Sequence, residues 1–235
     1  MSLILALDSS TDACSVALYA DGQLSARFEL AAKSHTQRLL PMVDELLQSN
    51  NLTLRDLDAI AFGRGPGSFT GLRICMGIVQ GLAFGAQLPV IPVSTLEAMA
   101  LGYYRVNPEV SLPVLVSLDA RMDEVYWGLF VRDGDSVAPL SDEFVMKPEL
   151  LSEQGVIQSL PGQFIAIGPG WHYPAMQALA SSTTVVDAQP QAEDMALIAA
   201  QVWSAGGAID VLDAQPVYLR DTISWQKRQR IRNLN

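Results

Sequence analysis

The 235-residue chain has little charge, few histidines and almost no cysteine. Charged residues make up 17% of it, below the roughly 25% of typical soluble domains, and apolar residues reach 49%, which excludes bulk disorder. His35 and His172 are too far apart to form a His-x-x-x-His metal site on one helix. Cys14 and Cys75 are too few for a disulfide framework or a zinc cluster, so we expect buried, reduced thiols.

Positive charge is also scarce. The chain has 15 Lys and Arg against 25 Asp and Glu, and the formal net charge of −10 argues against a broad basic surface for nucleic acid. The charge balance reverses at the C-terminus. Residues 220–235 contain five Lys and Arg, beginning with Arg220, and Asp221 is their sole acidic residue. This basic tail is either a solvated chain end or a contact to an acidic partner, a nucleotide or RNA.

Targeting signals are missing as well. The N-terminus lacks the basic start and the long apolar run of a signal peptide, so we expect a cytoplasmic protein. An uncharged stretch between Arg73 and Glu97 has the length of a membrane helix. Because Pro89 and Pro92 interrupt it, we predict instead a buried helix over residues 70–86, followed by a short strand, and no association with a membrane.

Three landmarks recur in the same order in the two halves of the chain: a strand ending in aspartate, an Asp-Gly hairpin turn and a Gly-Pro-Gly loop. In the first half they are Asp8, Asp21-Gly22 and Gly65-Pro66-Gly67, and in the second half they are Asp119, Asp133-Gly134 and Gly168-Pro169-Gly170. The recurrence indicates an internal duplication. Combined with the apolar periodicity, it predicts the order βββαβαβα in the first half and a trimmed version in the second.

Two such halves predict an α/β protein of the actin–hexokinase–Hsp70 (actin-like) architecture, with tandem βββαβαβα halves and a degenerate second half. We place an N-terminal subdomain at residues 1–107, a C-terminal subdomain at residues 108–220 and the basic tail at residues 221–235. In this architecture a nucleotide binds in the cleft between the halves, where glycine-rich turns hold its phosphates.

The two loops that would hold phosphate have an unusual composition. Ser9 and Ser10 follow Asp8 in the first turn, where phosphotransferases of this fold usually place a glycine. The loop around Gly65 and Gly67 precedes a helix, but no Gly-Lys-Ser/Thr follows, so it is not a Walker loop. It is either a tight strand-to-helix turn or a phosphate contact. We therefore interpret both segments as vestigial phosphate loops.

The helix after the glycine loop carries Gly77, Gly81 and Gly85 at every fourth position. Each glycine in a helix costs about 1 kcal/mol relative to alanine, so we expect the close approach of another helix to offset that cost. That packing is either between chains or within the chain. The stripe and the apolar face of the preceding helix together predict a surface for a partner chain. That apolar face consists of Leu39, Leu40, Val43 and Leu47.

Several motifs resemble those of the TsaB (YeaZ) family. They are the opening strand and turn at residues 4–11, the segment 34–41, the loop Gly-Pro-Gly-Ser-Phe-Thr-Gly-Leu-Arg at residues 65–73, and Pro-Val-Tyr-Leu-Arg at residues 216–220. The resemblance extends over essentially the whole chain, and the loop is its most specific part. It implies an actin-like fold and a non-catalytic subunit that supports TsaD, which transfers a threonylcarbamoyl group to the tRNA adenosine next to the anticodon.

The resemblance also implies partners. A TsaD-like catalytic subunit and a TsaE-like ATPase would bind the chain, the chain alone would form a homodimer, and tRNA would be met only through the complex. TsaD-like enzymes carry a His-x-x-x-His metal pair at the start of the third helix. Here Thr95 and Met99 stand at those positions, and both are poor ligands for a hard or borderline divalent ion.

We therefore expect no metal, no cofactor and no catalytic residue in this chain. The alternative is an enzyme of the same fold, either an ATP-dependent phosphotransferase or a glycoprotease. Such an enzyme would require a metal, or a nucleophile with its base, and no motif in the sequence supplies either.

Overall fold

The structure, a computed structural model, describes residues 2–31, 34–160, 163–179 and 181–220. The basic tail at residues 221–235 lies outside the described residues, so its interpretation stays a prediction. Within the described ranges the chain forms two mixed β-sheets that carry helices.

Five strands form the first sheet, in the order β3-β2-β1-β4-β5. β1 to β3 make an antiparallel meander, and β4 and β5 run parallel to β1. The strands are β1 (Leu3–Asp8), β2 (Ala13–Ala20), β3 (Gln23–Leu30), β4 (Ala59–Gly65) and β5 (Val90–Ser94). The helices of this half are α1 (His35–Ser49), α2 (Phe69–Ala86) and α3 (Thr95–Val106).

The second sheet repeats that order as β8-β7-β6-β10-β11, with β9 paired to β7. The strands are β6 (Val114–Arg121), β7 (Glu124–Asp133), β8 (Ser136–Pro139), β9 (Phe144–Met146), β10 (Ile165–Ile167) and β11 (Thr183–Val185). The helices are α4 (Gly155–Gln158), α5 (Pro174–Gln177) and α6 (Ala192–Ser204). The predicted fold class is confirmed, and the degeneracy lies in α4 and α5, which have 4 residues each.

In both sheets the first strand pairs with a parallel strand of the same half. Leu7 pairs with Phe62 between β1 and β4, and Val116 pairs with Ile167 between β6 and β10. Asp8 directly follows Leu7, whereas Ser117 directly follows Val116 and Asp119 lies two residues further along β6. The correspondence of Asp119 with Asp8 stays a prediction.

One helix from each half packs on the other half. α3 contacts β6, β7 and β8 of the second sheet, and α6 contacts β1, β2, β4 and β5 of the first. The buried face of α6 is rich in small side chains, Ala192, Ala196 and Ala199, which let it lie close to the strands. A single apolar core therefore contains residues of both sheets. Each sheet stays within the predicted limits, 1–107 or 108–220, and those subdomain limits stay a prediction.

Two serines set the starts of α2 and α3. Ser68 accepts a hydrogen bond from the Gly71 N–H at 3.3 Å, and Ser94 accepts one from the Glu97 N–H at 3.2 Å. Each hydroxyl satisfies a backbone donor that the first turn of a helix leaves unpaired. These caps place α2 and α3 directly after β4 and β5, at the carboxyl edge of the parallel strands.

Candidate functional site

A cleft of about 410 Å³ lies between the two sheets, at the carboxyl ends of β1 and β6. This inter-sheet cleft is lined by hydroxyl groups, among them those of Ser10, Thr11 and Thr70, and by the Gln189 side chain. Its charged lining residues are balanced, two acids against two bases: Asp12, Asp119, Arg121 and Arg220. Open α/β sheets bind ligands at this edge, so the cleft is the candidate binding site.

The two predicted phosphate loops pack against each other. The Ser68 N–H donates to the carbonyl of Ser10 at 2.7 Å, and the Ser9 hydroxyl donates to the carbonyl of Gly71 at 2.9 Å. A Cβ atom at Gly67 or Gly71 would collide with those two serines. The glycines thus allow close contact between the loops. The vestigial phosphate role of Asp8, Ser9, Ser10, Gly65 and Gly67 stays a prediction.

Asp8 is sealed beneath these loops and is fully buried. Its Oδ2 accepts hydrogen bonds from the backbone N–H and the hydroxyl of Ser10, at 3.2 and 2.9 Å, and its Oδ1 has no hydrogen-bond partner among the described residues. Burial raises the pKa of Asp8 to about 7, against the opposing effect of the Ser10 hydrogen bonds. A carboxyl group that is fully enclosed in this way is poorly suited to hold a metal–phosphate complex.

Thr95 and Met99 lie in the first turns of α3. Both side chains are buried, and the Met99 methyl group lies against Gly168 at the end of β10. The Thr95 hydroxyl has no partner in the described ranges, and nowhere in those ranges do three His, Cys, Asp or Glu side chains converge. A thioether and a neutral hydroxyl are poor ligands for a hard or borderline divalent ion, so these two residues do not fit a metal site of that kind.

The second feature is the outer face of α2. Gly77, Gly81 and Gly85 are exposed, and a Cβ atom at any of them would meet open space. Phe84 beside them is 68% exposed. The opposite side of α2 packs on its own sheet through Leu72, Cys75, Met76, Val79 and Ala83. The glycine stripe therefore points away from the chain and does not serve packing within it.

α2 is also, among the residues that the structure describes, the one helix long and apolar enough to cross a membrane by those two criteria. A core helix of a soluble protein passes the same test. Here one side of the helix packs on β1 and β4, which a free membrane span would not do.

The structure buries most of the α1 face that was predicted to contribute to the partner surface. Leu39, Val43 and Leu47 are buried and pack on the first sheet, and their part in a partner surface stays a prediction. Leu40 alone of the four points outward and is 47% exposed. The helical periodicity identified the apolar face correctly, but that face is the one that α1 buries against its own strands.

Sequence reasoning missed a polar link between the sheets. Glu143 of the second half accepts a hydrogen bond from the Ser94 hydroxyl and lies 3.4 Å from the Arg64 guanidinium. Glu97 lies nearby, and burial raises its pKa, with Arg64 opposing and Glu143 adding to the rise. No sequence signal joins Arg64 to Glu143, because they are 79 residues apart.

The two mixed sheets with a cleft between them define the chain as an actin-like α/β protein. A family model described as TsaD, tRNA N6-adenosine threonylcarbamoyltransferase, matches residues 28–206. The tRNA threonylcarbamoyladenosine biosynthesis protein TsaB of Escherichia coli K12 is 46% identical over 228 residues, which cover 95% of this chain and 97% of that protein. TsaB of Haemophilus influenzae is 41% identical over 95% of this chain and 96% of that protein.

Solved structures agree with the sequence relatives. The structure of YeaZ from Pseudomonas aeruginosa superposes with a TM-score of 0.85 at 40% identity, over 93% of this chain and 100% of that one. A second structure from the same organism is described as similar to peptidase YEAZ. It superposes with a TM-score of 0.86 at 41% identity, over 94% of this chain and 100% of that one. The chain belongs to the TsaB (YeaZ) family.

Proposed function

We propose that this chain acts in tRNA threonylcarbamoyladenosine biosynthesis as a non-catalytic subunit that binds and supports a TsaD-like catalytic subunit. The observation that carries the proposal is α2, a long apolar helix whose glycine stripe faces outward. The names of the TsaB relatives and the TsaD family model support the pathway. The alternative of a phosphotransferase or glycoprotease is not favoured by these relatives.

The interior of the chain supports the absence of catalysis. Thr95 and Met99 supply neither a nucleophile with its base nor a good metal ligand, and the loops around Asp8 are closed on one another. The purified chain should therefore turn over neither ATP with Mg²⁺ nor a peptide substrate. Turnover that co-purifies through several columns and is lost in Asp8→Ala would contradict the proposal.

The outer face of α2 supports a protein partner. Glycine at every fourth position leaves a shallow channel, Phe84 provides exposed apolar area on α2, and Leu40 provides exposed apolar area on α1. A standard interface buries about 800 Å² per partner, which at about 25 cal/mol per Å² gives ample driving force for association. A second copy of the chain, or a TsaD-like chain of the same fold, can approach this channel with a helix of its own.

Gly81→Leu is the test of this surface. The leucine fills the channel without touching the chain's own core, so the variant should fold, remain monomeric and fail to co-purify with a TsaD homologue. Gly155→Leu is the matched control, because Gly155 also faces open space but lies in α4 of the second half. Circular dichroism reports the fold and light scattering the mass.

The outcome separates two parts of the proposal. A folded Gly81→Leu variant that still dimerises and still binds the TsaD homologue would place the interface elsewhere. If the Gly81→Leu variant no longer forms the homodimer but still binds the TsaD homologue, the stripe serves self-association only. The remaining parts of the proposal are recruitment of a TsaE-like ATPase, contact with tRNA only through the complex, and a cytoplasmic location.

A further inference from the structure

Residues 216–220, the C-terminal strap, are anchored to the first half of the chain. The Val217 N–H donates to the carbonyl of Arg64 at 2.7 Å. The Tyr218 ring lies 5.4 Å from the ring of Phe69, and the Tyr218 hydroxyl accepts a hydrogen bond from Arg73 Nε at 3.2 Å. These contacts fix the strap at the end of β4 and at the first turns of α2.

The strap ends on the second half. The Arg220 guanidinium donates to the carbonyls of Ala120 and Arg121 at 3.2 and 3.4 Å, and its Nε donates to the Glu124 carboxylate at 3.0 Å. The Arg220 and Glu124 side chains are both partly buried. Charge-assisted hydrogen bonds of this kind are about twice as strong as neutral ones. Arg220 thus binds both sides of the turn that joins β6 to β7.

That turn has an uncommon backbone. Arg121, Met122 and Asp123 have φ values of 61°, 58° and 59°, in the left-handed region that residues other than glycine rarely adopt. Met122 and Asp123 form the two-residue loop between the paired Arg121 and Glu124, and a hairpin loop of this kind requires positive φ at both central residues. The Arg121 N–H donates a hydrogen bond to Asp119 at 2.8 Å, and Arg220 binds both ends of the loop.

The same residues form the mouth of the inter-sheet cleft. Phe69 lines it from the first half, Ala120 and Arg121 line it from the second half, and Arg220 lies between them. The strap therefore connects the two walls of the cleft at its opening.

We infer that Arg220 is a latch that ties the β6–β7 turn to the strap and keeps the mouth of the inter-sheet cleft narrow. With Arg220 seated, its hydrogen bonds to Ala120, Arg121 and Glu124 hold the turn against the strap. With Arg220 released, the turn keeps its hairpin dihedral angles, and the second wall of the cleft separates from the strap. The core shared by the two sheets stays intact, because α3 and α6 hold it.

Hydrogen exchange on the full-length chain tests the latch. Arg220→Met keeps the length of the side chain but removes its hydrogen bonds. We expect amides 120–125 to exchange at least tenfold faster in this variant, with unchanged exchange in β1 and α6. Arg55→Met, at an exposed arginine of the first half, is the matched control and should leave all of these amides unchanged.

Thiol labelling measures the mouth of the cleft directly. Cys14 and Cys75 are buried, so a Gln189→Cys chain carries one accessible thiol inside the cleft. Adding Arg220→Met should speed its reaction with a maleimide severalfold. Glu124→Gln, which weakens the latch and keeps Arg220, should give a smaller change of the same sign and serves if Arg220→Met does not fold.

Two results would overturn the inference. One is unchanged exchange at amides 120–125 together with an unchanged labelling rate. The other is an equal rise in exchange across the turn, β1 and α6, because that would make Arg220 a general stabiliser of the fold.

Discussion

Arg105 and Asp194 form an ion pair that joins α3 to α6, with Arg105 Nε donating to Asp194 Oδ1 at 2.8 Å. Each helix lies on the sheet of the other half, so the pair sits where the two halves interlock. Asp194 is buried, and burial raises its pKa to about 6, although Arg105 favours its charged form. Gly102 lies directly beside this carboxylate.

Arg105→Met should lower the free energy of unfolding by about 2 kcal/mol at pH 8, because it leaves the Asp194 carboxylate buried without a cation. This figure already allows for solvent screening of the ion pair, because the Arg105 side chain is 34% exposed. The loss should be smaller at pH 5, where Asp194 can protonate. Urea denaturation at the two pH values checks it, and an equal loss at both would contradict the pairing.

Alanine substitutions at Gly102 and at Gly77 should change the stability of the chain in opposite directions. A Cβ atom at Gly102 would collide with the Asp194 carboxylate, so Gly102→Ala should destabilise the chain by about 2 kcal/mol. A Cβ atom at Gly77 meets open space in the middle of α2, so Gly77→Ala should stabilise the monomer by about 0.5–1 kcal/mol. Thermal unfolding of each variant, at protein concentrations too low for self-association, measures both changes in stability. A change of the same sign in the two variants would refute this contrast.

Asp8→Asn should change how stability depends on pH. The folded pKa of Asp8, about 7, lies above its ordinary value of 3.8, so the folded chain keeps the proton longer and stability falls as pH rises from about 4 to 7. Asparagine removes this loss. The variant should gain up to about 4 kcal/mol relative to the parent between pH 4 and pH 8.

Asp213→Asn, at an exposed carboxylate, controls for the removal of one negative charge. Unfolding free energies over that pH range decide the matter. Parallel curves for the parent chain and Asp8→Asn would show that Asp8 is not protonated in the folded chain.

Leu39 and Leu40 should separate stability from association. Leu39→Ala removes a fully buried side chain and should lower the free energy of unfolding by about 3 kcal/mol. Leu40→Ala should change it by less than about 0.5 kcal/mol and should weaken self-association instead. Denaturation and sedimentation of the two variants provide the comparison. A large stability loss in Leu40→Ala would show that Leu40 belongs to the core.

The sequence was sufficient for most of the fold and for the family. Alternating and helical apolar periods placed the long elements, the repeated landmarks predicted two similar halves, and the loop at residues 65–73 carried the family resemblance. These signals are local, since each depends on residue types within a few positions of one another. The spacing of Gly77, Gly81 and Gly85 predicted a helix that another element approaches closely, but it left open whether that element belongs to the same chain. The structure shows that the stripe faces open space.

Tertiary structure alone decided which apolar faces are buried and which polar groups meet. The periodicity of α1 shows one apolar face but not what it packs on, and the first sheet covers Leu39, Val43 and Leu47 while Leu40 stays outside. Strand register depends on backbone pairing, and it places both Asp8 of β1 and Ser117 of β6 one residue after the last pair with the neighbouring parallel strand. The contact of Arg220 with Glu124 joins residues 96 positions apart, and such pairing follows only from the packing of the complete chain.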